Sequence, residues 1–322
     1  MKLSSKSNLE VASILGNSPD HLFFRCFPFD GMEADMDETI IIELKDGQCV
    51  ATHLIREECS SMLIRQGEPL CLGCFGNLHM REQDSFRALD FELDSARYLV
   101  AVYEFHNRIY TVGQDSAALR LEKSGWIDLL KVDVDCDFYA MAVDPSGGLY
   151  VAGSSGQLYR SIGDTTERIE LPTNADLFGI AITIDGELYV CGERGCVFVG
   201  NGDQWRDLSD PDLDADLHDI KFWRNYALVA GEEQVFAIDD TGLVPFAAVP
   251  AFSLWSTGKR LWAKGARKIH FIEDSNWQPF DFEINRLVPV DNSLIFINFM
   301  NRQRAKRTDS LTNRFFLLSV GS

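Results

Sequence analysis

The chain has 322 residues, 46% of them hydrophobic, enough for a substantial core, and carries a formal net charge of −19 from 49 acidic and 30 basic side chains. A charge of that sign repels phosphate and argues against direct DNA or RNA binding, and no run approaches the roughly 18 apolar residues of a membrane-spanning helix. Met1-Lys2-Leu3-Ser4-Ser5-Lys6-Ser7 lacks the apolar stretch of a secretory signal, so the expected compartment is the cytoplasm.

In chain order, the first strand pattern is Leu22-Phe23-Phe24, two residues after Asp20. A long insertion with Asp30, Glu33, Asp35, Asp37 and Glu38 follows. A regular ruler then takes over. Short apolar runs end in glycine at positions 73, 113, 153, 192, 231 and 265, at intervals of 40, 40, 39, 39 and 34 residues. Tyr110-Thr111-Val112-Gly113 and Tyr150-Val151-Ala152-Gly153 are typical. Six residues before the first five glycines stand Gly67, Asn107, Gly147, Gly186 and Asn225, with Gly258 near the sixth. These residue types tolerate the positive φ of a tight hairpin turn. Thirteen residues after the glycine come Phe86, Trp126 and Trp205, and Trp277 follows its own glycine by twelve; these aromatics are expected to pack between neighbouring units. The chain closes on a last hairpin pattern, Asn292 ahead of Leu294-Ile295-Phe296, and on Arg314-Phe315-Phe316-Leu317-Leu318.

A period near 40 with several short strands per unit, and no helix-period segment, predicts an all-β chain. The expected fold is a single β-propeller domain over residues 1–322, with four-stranded blades. Counting the hairpins at both ends gives eight repeat units. The last lacks room for a fourth strand, which the N-terminal segment is expected to supply. Seven blades with an extra N-terminal hairpin is the alternative.

Lys123-Ser124-Gly125-Trp126, Gly202-Asp203-Gln204-Trp205 and Asp274-Ser275-Asn276-Trp277 resemble degenerate Asp-box hairpins, the BNR-type repeats of sialidase-like and photosystem-assembly-like propellers. The resemblance covers three units and implies the fold. The full Ser-x-Asp-x-Gly-x-x-Trp pattern is not met, and the arginine triad and tyrosine nucleophile of sialidases cannot be placed. Fold alone carries no activity.

The charge is concentrated. In a propeller, loops from the second to the third strand share a face with connections from the fourth strand to the next blade. On this register the connections carry Asp94, Asp133, Asp135, Asp137, Asp176, Asp210, Asp212, Asp214 and Asp216, and the loops carry Asp115, Glu193, Glu232 and Glu233. Like charges gathered within a Debye length of roughly 8 Å repel one another. Such a field steers a basic protein and raises association rates by about 10- to 1,000-fold. Lys264, Arg267 and Lys268, with Arg302, Arg304, Lys306 and Arg307, form a small basic sector. The expected partner-binding set is Asp133, Asp135, Asp137, Glu193, Asp210, Asp212, Asp214, Asp216, Glu232 and Glu233.

Other chemistry finds little support. The aspartate strings at 133–137 and 210–216 lack the glycine and glutamate of an EF-hand loop. Cys71-Leu72-Gly73-Cys74 has zinc-knuckle or redox spacing but no second ligand pair, with His79 alone nearby. The cysteines are expected to be buried thiols. Innermost strands such as Tyr98-Leu99-Val100-Ala101-Val102-Tyr103 read as apolar, and His218-Asp219 is their one adjacent titratable pair. No nucleophile elbow, phosphate loop or dinucleotide fingerprint is present. No catalytic residue, metal or cofactor is therefore assigned. The leading expectation is a non-enzymatic protein-binding propeller whose acidic face captures a basic partner, in its most specific form an immunity protein that neutralises a bacterial toxin. The alternatives are an enzyme or small-ligand binder at the channel mouth, using His218, Asp219 and Arg194, and a scaffold subunit with a flat apolar patch.

Overall fold

Each glycine of the ruler sits at the end of a second strand, and what it supplies there is space. Strands Arg108–Gly113, Leu149–Gly153 and Leu188–Gly192 run directly beneath the connection entering their own blade. A Cβ at Gly113, Gly153 or Gly192 would fall inside the carbonyl oxygen of Tyr98, Asp137 or Asp176 respectively. Only glycine lets the two backbones approach so closely. The turn positions six residues earlier do require positive φ. Gly67, Asn107, Gly147 and Gly186 adopt 90°, 63°, 92° and 85°, while in the fifth unit Arg224 (54°) takes that torsion in place of Asn225.

In the computed structural model, the described residues are 8–29, 37–89, 91, 93, 97–132, 135–202, 204–266, 268–274, 276–280, 283–290, 293–300 and 316–319; residues 8, 29 and the last three ranges are described through their backbone alone. The strands form seven four-stranded antiparallel blades, spanning residues 8–55, 59–89, 99–128, 138–169, 177–207, 217–247 and 253–279. The first strands of successive blades pack against one another in a ring. Ser253–Thr257 of blade 7 closes it against Asn8–Ser18 of blade 1.

The expectation of eight units is thereby corrected to seven. Among the described residues the N-terminal segment builds all four strands of blade 1 itself, and the C-terminal strands join that blade instead of forming an eighth with a borrowed strand. The C-terminal hairpin, Glu283–Val290 with Ser293–Met300, lies outside the ring. With Phe316–Ser319 it extends the sheet of blade 1 outward from Gln48–Ile55, through one parallel bridge between Gln48 and Glu283.

Seven apolar clusters fill the seven gaps between blades. At the closure, Leu9, Ile14, Leu22, Phe24 and Ile40 of blade 1 meet Trp255, Trp262 and Ile269 of blade 7. Trp262 is fully buried, stacks on Trp255 at 5.3 Å and donates its Nε1–H to Thr257 Oγ1 at 2.9 Å. Apolar burial on this scale closes the ring without a shared strand. The aromatic column packs across gaps as expected. Phe86 of blade 2 lies edge-on to His53 of blade 1, and Trp126 of blade 3 donates to Gly76 O of blade 2 at 2.8 Å. The tryptophans of the Asp-box-like hairpins do not share one contact, because Trp205 donates within its own hairpin, to Gly202 O at 2.8 Å.

Candidate partner-binding face

The turns between second and third strands and the connections between blades are bonded to each other, which places them on one face. Gln114 N–H donates to Tyr98 O and Ser116 N–H to Cys136 O; Ser154 donates to Asp137 O and Gly156 to Ala175 O; Glu193 donates to Asp176 O and Gly195 to Ala215 O, all at 2.7–2.9 Å. Each turn is thus held between the connection entering its own blade and the one entering the next.

Side chains reinforce this frame in a repeating way. Asp137, Asp176 and Asp216 each stand one residue before an inner strand. Their Oδ1 atoms accept the backbone N–H of Asp115 (3.3 Å), Ser155 (2.8 Å) and Arg194 (3.2 Å). Those donors have φ of 52°, 53° and 50°, a torsion that costs an L-residue about 1 kcal/mol. A hydrogen bond to a charged acceptor, worth about 1.5–3 kcal/mol, offsets that strain. Glu193 Oε2 accepts Asp176 N–H at 3.1 Å, and Asp210 Oδ1 accepts Asp212 N–H at 3.0 Å within its own turn.

The acidic residues expected to bind a partner therefore divide. Asp137, Glu193, Asp210 and Asp216 are half-buried and brace the frame, whereas Asp135, Asp212, Asp214, Glu232 and Glu233 are exposed on it. Asp133 lies outside the described residues, as do Asp94, Asp30, Glu33, Asp35, Arg267 and the 302–307 basic segment. Of the basic sector, Lys268 is exposed and Lys264 half-buried, its pKa lowered by burial.

Inside this acidic rim lies a feature the sequence reading took for apolar strand. Tyr139, Phe178 and His218 occupy the second position of the inner strands of blades 4, 5 and 6, each at a β-bulge where the ladder skips one residue. A bulge re-aims its side chain out of the pleat. The rings join from blade to blade: Tyr139 to Phe178 at 5.5 Å, Phe178 to His218 at 6.0 Å with planes nearly parallel, and His218 to Phe252 at 4.8 Å. All four are partly exposed. Tyr139 Oη donates to Asp176 Oδ2 at 3.4 Å; burial first, then the nearby Asp176 charge, push its hydroxyl pKa up to about 12. His218 Nε2 lies 3.7 Å from Glu232 Oε1. Farther round, Tyr98 donates to Glu58 and meets the exposed Phe75 edge-on at 6.3 Å. A repeat-by-repeat alignment at the second position of each inner strand would have found this arc.

Of the residues expected at a channel-mouth site, His218 and Asp219 do not work as a pair. Asp219 turns from His218 to accept Leu254 N–H at 2.9 Å and to pair with Lys221 at 3.2 Å. Among the described residues no group of three or more His, Cys, Asp or Glu side chains could hold a metal ion. Cys71 and Cys74 are buried in blade 2.

No protein-family model and no curated protein matches the sequence. Solved structures do. Virginiamycin B lyase from Staphylococcus aureus is similar at a TM-score of 0.60 and 12% identity, over 74% of this chain and 90% of that one. YCF48 bound to D1 peptide is similar at 0.55 and 14%, over 76% and 92%. The WD40 β-propeller domain of Doa1 is similar at 0.59 and 13%, over 86% and 94%. At such identities the likeness shows the β-propeller fold alone.

Proposed function

We propose that this protein is a non-enzymatic binding propeller of the cytoplasm whose acidic loop face captures a basic protein. The observation that carries the reading is the bonded frame of turns and connections, which gives carboxylates distant in sequence one rigid surface. Asp135, Asp212, Asp214 and Glu233 are exposed there with no ion pair among the described residues. Seven of the eight cysteines are buried, which suits a reducing compartment. YCF48, bound to D1 peptide, is a propeller of similar fold that holds a polypeptide.

The most specific form of the proposal is an immunity protein. Toxins that act on nucleic acids present basic clefts, and a rigid acidic face is complementary to such a cleft. The test is to isolate the partner from the native host by affinity capture and measure its affinity across a salt series. Replacing Asp212, Asp214 and Glu233 by Lys should weaken capture at least roughly tenfold at low salt, leave the melting temperature intact and flatten the salt dependence. An affinity indifferent to both salt and charge reversal would refute the proposal, and a captured partner that is not a toxin would overturn its specific form.

A further inference from the structure

Five of the seven inner strands carry a bulge at the same place, and the occupants are Ser60, Val100, Tyr139, Phe178 and His218. Ser60 and Val100 show that the bulge needs no aromatic ring. The rings of blades 4 to 6 are thus not demanded by the backbone, yet they fall in consecutive blades, touch each other, continue into Phe252 and keep part of their surface open. Four carboxylates border this arc: Asp176 through its contact with Tyr139, Glu232 through His218, and Glu193 and Asp216 from the turns and connections between them. Among the described residues none of the four is ion-paired with a Lys or Arg side chain; Asp216 meets Arg194 through its backbone N–H, and Glu232 faces His218.

Partly exposed rings bordered by carboxylates that no Lys or Arg side chain neutralises match a planar cation. A guanidinium stacks on aromatic faces and bonds carboxylates through its fork, whereas an ammonium is a compact, strongly hydrated point charge. We propose that the arc of Tyr139, Phe178, His218 and Phe252 is an arginine seat, into which an extended, arginine-bearing segment of the protein partner lays its side chains. This rests on the acidic-face reading and names the chemistry at its centre. The exposed rim attracts any basic protein; the arc selects arginine over lysine.

The probes are two fluorescein-labelled twelve-residue peptides, one of alternating Arg and Gly and the other its Lys twin, titrated by fluorescence anisotropy. The wild-type protein should hold the Arg peptide roughly tenfold tighter than the Lys peptide, the ratio a desolvated cation–π contact supplies. The double variant Tyr139→Leu, Phe178→Leu keeps apolar volume but no π-face and should lose that preference, weakening the Arg peptide more than the Lys peptide until the two bind alike. Phe178→Val, a residue the equivalent bulge already accommodates at Val100, should lose part of it; Phe178→Tyr should keep it. Asp212→Lys with Asp214→Lys should weaken both peptides alike and leave the ratio intact. An Arg preference that survives the Leu and Val changes would overturn the seat. Equal binding of both peptides by the wild type would overturn it while the acidic face stands, and binding of neither at low salt would overturn both.

Discussion

Glu43 lies on the opposite face, at the join of blades 1 and 2, and its removal should register as a pH-dependent loss of stability. Its side chain is 2% exposed, with His21 Nε2 at 2.7 Å, Lys45 Nζ at 2.9 Å and Arg81 Nη1 at 2.8 Å. Burial alone would raise its pKa; hydrogen bonds from Lys45 and His21 and the charge of Arg81 overcome that and hold it at about 2 instead of 4.5. At about 1.4 kcal/mol per unit, that depression sets a ceiling of about 3 kcal/mol. Lys45 is half-exposed, and screening on that side brings the expected figure to about 2 kcal/mol. The contribution is complete above about pH 4.5, where the glutamate of the unfolded chain is also ionised. It drains away as pH falls toward 2, the folded-state value. Glu43→Gln keeps the shape and removes the charge, while Arg81 retains Glu68 at 3.3 Å. Guanidinium denaturation should show the variant weaker by about 2 kcal/mol at pH 7 and nearly level with wild type by about pH 2.5. A difference that is absent at pH 7, or equally large at both pH values, would refute the assignment of Glu43 as a buried ionic hub.

Gly192→Ala should cost about 2–3 kcal/mol by driving a methyl into the Asp176 carbonyl. Gly147→Ala should cost only about 1 kcal/mol, because a Cβ there meets nothing and only the positive φ is at issue; equal losses in urea melts would contradict the crowding argument. A chain ending at Phe280 should keep its seven-bladed ring, with a melting curve close to that of the full chain, because all seven blades are complete by Pro279 and, among the described residues, one bridge ties the later strands to blade 1. Collapse of that shorter chain would restore an essential place in the ring to the C-terminal hairpin. Neutralising Asp212, Asp214 and Glu233 as Asn, Asn and Gln should stabilise the free protein by about 0.5–1 kcal/mol at low salt. The gain should vanish at about 1 M salt, where the Debye length is roughly 3 Å; a gain that persists there would show that repulsion is not its source.

The ring was legible because its glycines answer a constraint that recurs from blade to blade, backbone crowding at the end of the second strand, which at Gly113, Gly153, Gly192 and Gly265 is the close pass of the incoming connection. The blade count was harder, since Asn292 ahead of Leu294-Ile295-Phe296 looks like any blade's hairpin. A period counts hairpins, and the ring is decided by which aromatic surfaces meet, here Trp255 and Trp262 against Leu9 and Phe24. The shared face was readable from the register of Asp137, Asp176 and Asp216, but not the division of labour within it. A carboxylate that braces a positive-φ turn and one that faces solvent have the same letter. What separates them is position: Asp137, Asp176 and Asp216 directly precede Phe138, Leu177 and Leu217, the first residues of their inner strands. The aromatic arc was hidden because a bulge breaks the two-residue alternation by which a strand's exposed side is read.

This division bears on how the face binds. The exposed Asp135 stands two residues from the latch at Asp137, and Asp212 and Asp214 stand between the turn at Asp210 and the latch at Asp216. Loops so fastened cannot spread apart to relieve repulsion, as a flexible acidic tail of equal charge would. On the proposed function, the repulsion remains in the free protein and is released when a partner's cations arrive, with little ordering entropy left to lose. On that proposal the four bracing carboxylates sharpen the affinity of the five exposed ones for a cationic surface. The bulges that set the rings of blades 4 to 6 follow directly on the braced connections, so the proposed attraction by the rim and selection by the arc are separable by mutation.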